Sequence, residues 1–135
     1  MLKKMTITVI VGVISVAENN TANAWVGTAA IYEADGIYLR MVGYGLGTSG
    51  NKSKAQKDAL ASCGSHFSGF GHCVTGDSIL KNACAAVYMD NDKYYYVNIS
   101  AGPLSNAERL ASANCEDNTV SGGCAVEDHI CDRAQ

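Results

Sequence analysis

The chain has 135 residues, the size of one domain, and carries 10 Lys and Arg against 13 Asp and Glu for a formal charge of −3. That balance gives no nucleic-acid grip, which needs a clustered basic surface. A charged fraction of 17%, a single Pro and 47% hydrophobic residues exclude a disordered chain.

Residues 1–24 read as a secretory signal peptide. Lys3 and Lys4 form a short basic start. Residues 5–17 are an uncharged, largely apolar run, and Ala22-Asn23-Ala24 supplies a cleavage site before Trp25. A retained anchor helix is the alternative, but a membrane span needs roughly 20 apolar residues and Glu18 ends the run earlier. Cleavage leaves 25–135 as one domain with 8 basic and 12 acidic residues and all six Cys. The expected location is the periplasm or the cell exterior, where disulfides form, with no membrane contact after cleavage.

The rest of the chain repeats itself, in copies of about 25–80 and 83–135. Ala29-Ala30-Ile31-Tyr32 recurs as Ala85-Ala86-Val87-Tyr88, and Tyr38 as Tyr94. The pattern of Ser53, Ala55, Gln56, Lys57, Ala59, Ala61 and Cys63 recurs as Ser105, Ala107, Glu108, Arg109, Ala111, Ala113 and Cys115. Two copies are too few for a solenoid, so the expectation is a pseudo-symmetric single domain. Each copy reads as strand, strand, helix, strand. In the first, residues 26–32 and 37–44 flank the turn Glu33-Ala34-Asp35-Gly36. In the second, 83–89 and 93–100 flank Asp90-Asn91-Asp92. Ser53 with Gln56, and Ser105 with Glu108, have capping-box spacing. Ala55, Ala59 and Cys63 fall on one helix face, as do Ala107, Ala111 and Cys115. Residues 73–80 and 124–131 would close the copies. The expected class is α+β: two β-β-α-β copies forming one antiparallel or mixed sheet with two helices and three disulfides.

The repeat narrows the cysteine pairings. Cys63 and Cys73 have counterparts in Cys115 and Cys124, whereas Cys84 and Cys131 have none. Symmetry favours Cys63–Cys73, Cys115–Cys124 and Cys84–Cys131. Cys63–Cys115 with Cys73–Cys124 also respects it, but demands contact across the axis. A zinc site built on Cys63-x-x-His66 and His72-Cys73 is a competing reading, and the second copy lacks its His residues. An even, exported set of six favours oxidation, so no metal is expected.

The pattern resembles bacterial exported proteins of domain-of-unknown-function family 4189. The resemblance rests on Trp25-Val26-Gly27-Thr28-Ala29-Ala30, Gly43-Tyr44-Gly45, Ala59-Leu60-Ala61-Ser62-Cys63, Cys73-Val74, Asn82-Ala83-Cys84-Ala85-Ala86, Cys115 and Cys124 to Cys131. The second helix departs from it, since Ala111-Ser112-Ala113-Asn114-Cys115 lacks the usual Leu. The resemblance implies export and disulfides, and brings no catalytic residue with it.

The sequence offers little chemistry. Gly45-Leu46-Gly47-Thr48-Ser49-Gly50 has dinucleotide-loop spacing, but the partner carboxylate is missing and it reads as a connecting loop. Asp90-Asn91-Asp92 lacks the Gly and Glu of a calcium loop. His129 reads as a structural or surface residue. No cofactor is implied. The stronger signal is strand alternation: if the helices cover Tyr95, Val97, Ile99, Leu39, Met41 and Gly43, then Tyr38, Arg40, Tyr44, Tyr94 and Tyr96 share an outer face. Tyr and Arg are enriched at protein-binding hot spots. The alternative is that Tyr merely suits a strand, or that this face is the buried one. The expectation is an exported, non-enzymatic binding module for an unidentified protein partner, of inhibitor or immunity type. A secreted effector or small hydrolase is the alternative. Oligomeric state stays open.

Overall fold

The computed structural model describes residues 24–132. Apart from Ala24, the expected signal peptide lies outside the described residues. The elements run β1 (Trp25–Asp35), β2 (Tyr38–Ser49), α1 (Lys52–Phe67) with a 3-10 turn (Ser68–Phe70), β3 (Val74–Lys81), β4 (Ala83–Met89), β5 (Tyr95–Ala101), α2 (Leu104–Asn118) and β6 (Ala125–Cys131).

Among the described residues the α+β class holds, with two helices and three disulfides, but the strands form two sheets rather than one. The first has the order β2-β1-β3 and the second β5-β4-β6. All pairings are antiparallel. In each half the third strand crosses behind the first and pairs with its free edge, so the halves share one strand order. The sheets then meet face to face. Val26, Ala83 and Ala85 are buried between them, with Leu46, Ile99 and Ile130 alongside. Helix α1 covers the other face of the first sheet over Ala29, Ile31, Ala59 and Cys63. Helix α2 covers the second over Cys84, Ala86, Ala107 and Ala111. The order of layers is helix, sheet, sheet, helix. Its physical cause is visible in β4, where Ala83, Cys84, Ala85, Ala86 and Val87 are all buried. A strand apolar on both faces needs two covers.

Close approach makes the helix layers work. On α1 the small residues Ala55, Ala59 and Cys63 are fully buried. They lie against Gly45 and Gly47 of β2, where a Cβ would run into the backbone of Ala55, Ala59 and Cys63. The glycines expected to form a loop are therefore the outer half of a strand, kept bare so that a helix can rest on it. The caps also differ from expectation. Asn51, two residues before Ser53, accepts from Lys54 N at 3.0 Å, and α2 starts after Pro103 with no side-chain cap. The β1–β2 turn is tighter than expected. Asp35 pairs with Tyr38 around Gly36 and Ile37, and Gly36 takes φ +64° as a two-residue hairpin loop requires.

Disulfides join Cys63 to Cys73, Cys115 to Cys124 and Cys84 to Cys131. The first two tie a helix to the chain that follows it, and the third ties two neighbouring strands. Both thiols of the zinc reading are held in one of these bonds. Oxidised pairs fit a compartment outside the cytoplasm. Among the described residues no helix is long and apolar enough to cross a membrane.

Candidate functional site

The five residues expected on one outer face do not share a face. Both faces of each sheet are covered, so no broad outer surface exists for them. A bulge at Val42 also breaks the alternation of β2: Ile31 pairs with Gly43 and Tyr32 with Met41. Arg40 therefore sits opposite Glu33 and Tyr44 opposite Ala30, on opposite faces of β1. In β5 the covered and open sets are exchanged. Tyr96 pairs with Tyr88 beneath α2 and is 7% exposed, while Ile99 turns toward the other sheet. Tyr96 is thus a core residue, a correction to the outer-face expectation.

What the fold does bring together is a seam at one end, where the β1–β2 hairpin of the first half meets the β4–β5 turn and α2 of the second. A depression of about 350 Å³ there is lined by Tyr38, Arg40, Tyr94 and the edge of Tyr96, with Tyr32 and Asn118 among its walls. A second, of about 410 Å³, shares Tyr94 and Tyr95 with it and adds Glu33, Val42, Phe67, Phe70, Asp92 and Lys93. A third, of about 280 Å³, shares Phe67 with the second and contains Tyr44. Eight of the nine Tyr and Phe residues line these depressions, Tyr88 being the exception. Tyr96 among them belongs to the core; the others gather at the junction of the two halves.

Local packing holds the rings. Tyr44, Phe67 and Tyr95 form a triangle with centroids 5.0 to 5.6 Å apart, and Phe70 stands 6.1 Å from Phe67. Arg40 lies over Tyr38 at 5.6 Å and Tyr94 at 5.5 Å. Its Nη1 donates to the Asn118 carbonyl at 3.0 Å and its Nε reaches Asp35 at 3.4 Å. Arg40 thus links the hairpin to the last turn of α2. Beyond the rings the hairpin tip projects Ile37, 92% exposed, with Tyr38 and Leu39 also exposed. These neighbouring side chains form an exposed apolar patch at the tip.

The seam is acidic. Partial burial raises the Tyr94 hydroxyl pKa, and the carboxylates of Asp35 and Glu33 raise it further. Burial also raises Tyr44, and the hydroxyl's hydrogen bond to Asp128 Oδ2, at 3.0 Å, adds to the shift. Below the seam Asp90, 2% exposed, accepts from Tyr96 Oη at 2.8 Å, Thr119 Oγ1 at 2.9 Å, Asp92 N at 2.9 Å and Tyr94 N at 3.1 Å. Burial alone would raise its pKa, but these hydrogen bonds outweigh it and hold the carboxyl below its ordinary value. Burial, together with that bond, pushes Tyr96 up to about 12. Asp90 opens the turn that resembled half a calcium loop, and its oxygens are turned inward.

Sequence reasoning placed Tyr38, Arg40 and Tyr94 together and missed Phe67, Phe70, Tyr95, Ile37 and Leu39. The sign for the last two is their position beside Gly36 in a turn too short to bury them. The two Phe residues follow the helix face that ends at Cys63, and only the third dimension shows that Phe67 meets Tyr95 with Phe70 beside Phe67. A family model described as a domain of unknown function (DUF4189) matches residues 12–131. No curated protein and no solved structure matches the chain.

Proposed function

The chain belongs to the DUF4189 domain-of-unknown-function family, and we propose that it is an exported, non-catalytic module that holds a basic protein partner along the aromatic seam. The observation that carries this reading is the gathering of the chain's Tyr and Phe residues at one junction, beside an exposed Ile37-Tyr38-Leu39 tip. Aromatic rings and Arg supply large contact area with little entropy to lose, as interface hot spots do. Disulfides and helix packing fix the platform before binding, which lowers the ordering cost of association. The carboxylates of Glu33, Asp92, Glu127 and Asp128 line the seam against Lys93 and an Arg40 already engaged. This charge pattern and the net −3 favour a basic partner and speed its docking. An inhibitor or immunity-type role fits that arrangement.

The test compares wild type with the double variant Tyr38→Ala, Tyr94→Ala as immobilised bait for envelope extract. The expected result is a basic protein retained by wild type, released by salt, and reduced at least about tenfold by the variant while its melting temperature stays within a few degrees. Equal retention by both baits would remove the seam from the account.

A further inference from the structure

The far end of the seam has a chemistry of its own. The third depression is lined by Tyr44, Ser62, His66, Phe67, Glu127 and Asp128. Neighbouring residues of a regular strand point to opposite faces, yet Glu127 and Asp128 both line it. The register of β6 explains this: Asp128 pairs with Val87 and Val126 with Tyr88, so Glu127 is the extra residue of a bulge. Among the described residues the ion pairs are Arg40–Asp35 and Lys54–Asp58. Among the described residues neither Glu127 nor Asp128 forms an ion pair.

His66 stands on the same rim, its Nδ1 donating to the Ser62 carbonyl at 2.9 Å. Tyr44 and Phe67 supply two aromatic walls, 5.2 Å apart between centroids. Two carboxylates with no ion-pair partner among the described residues, beside two aromatic rings, suit a cation. Among the described residues no group of three His, Cys, Asp or Glu is placed to hold a metal ion. A planar guanidinium, with several donors, stacks on rings and bonds carboxylates, and this lining offers both contacts.

We propose that this depression is an anchor site for an arginine guanidinium presented by the protein partner. The proposal rests on the reading of the seam as a protein-binding surface and names the group recognised at its end.

The probe is N-acetyl-arginine N-methylamide, titrated into the disulfide-bonded protein and followed by NMR of the His66 and Tyr44 ring signals. The neutral analogue N-acetyl-citrulline N-methylamide serves as control. A lone side chain should bind with a dissociation constant of about 1–10 mM. The expected result is saturable movement of both ring signals with the arginine compound alone, weakened at least about tenfold in the double variant Glu127→Gln, Asp128→Asn. No movement, equal movement with the citrulline compound, or unchanged affinity in that variant would overturn the proposal. If the arginine compound fails while Tyr38→Ala, Tyr94→Ala still loses the captured partner, the anchor is wrong and the seam stands. If the compound binds and those variants capture normally, the anchor is supported and the seam reading falls.

Discussion

Asp90 accepts four hydrogen bonds from three parts of the fold. It gathers the β4–β5 turn, the ring of Tyr96 and the C-terminal cap of α2 onto one carboxylate. Thr119, which donates to it, in turn accepts from Gly122 N at 3.0 Å. An amide in its place keeps one acceptor and turns donors toward donors. Asp90→Asn should therefore lower unfolding stability at pH 7 by about 2–3 kcal/mol, measured by urea titration. The pH dependence follows from the direction of the shift. Because the folded carboxyl titrates below its ordinary value, its contribution is complete above the unfolded pKa of about 3.9 and fades as pH falls through the folded one. The gap between wild type and Asp90→Asn should thus be full at pH 7 and shrink below about pH 4. A gap that widened in acid would show that the carboxylate is not the species held. None of this was legible in the sequence, where Asp-Asn-Asp looks like any solvated turn. Which way a turn carboxylate faces depends on Tyr96 and Thr119, and Thr119 is 29 residues away.

At the scale of elements, comparing the two halves separates local features from those set by partner elements. The strand and helix positions follow from alternation, small-residue spacing and turn residues, and these were readable. The bulges at Val42 and Glu127 were not, because an extra residue in a strand is chosen by its partner strand. Those bulges decide the site: one parts Arg40 from Tyr44, and the other brings Glu127 and Asp128 together. Helix contact is similarly set by pairs of elements. Gly45 has no room for a Cβ against α1, whereas Gly64, within α1, has open space around it. Gly45→Ala should destabilise by about 3 kcal/mol or more, because helix backbone must move. Gly64→Ala should stabilise by about 0.5–1 kcal/mol through the unfolded chain's lost freedom. Chemical denaturation of the two variants reads both signs, and similar effects from both would contradict the packing described.

At the scale of the molecule, two small halves solve one problem. Neither sheet could hide both its faces alone, so each takes a helix on one side and the other sheet on the second. The disulfide between Cys84 and Cys131 closes a loop of 47 residues, against 10 and 9 for the other two. By the loop-entropy model it contributes about 4 kcal/mol and each of the others about 3 kcal/mol. The buried run Ala83–Val87 was the sequence's sign of two-sided burial, and it separates a sandwich from a single sheet. The seam is a product of that sandwich, since its rings come from both halves. The proposed role as a contact surface is tested most directly by site-specific photo-crosslinking in envelope extract. A benzoyl-phenylalanine at Leu39, on the hairpin tip, is compared with one at the exposed Lys57 on α1. The account predicts a discrete adduct with a basic protein from position 39 and none from position 57. Equal labelling from both positions, or an adduct from position 57 alone, would contradict it.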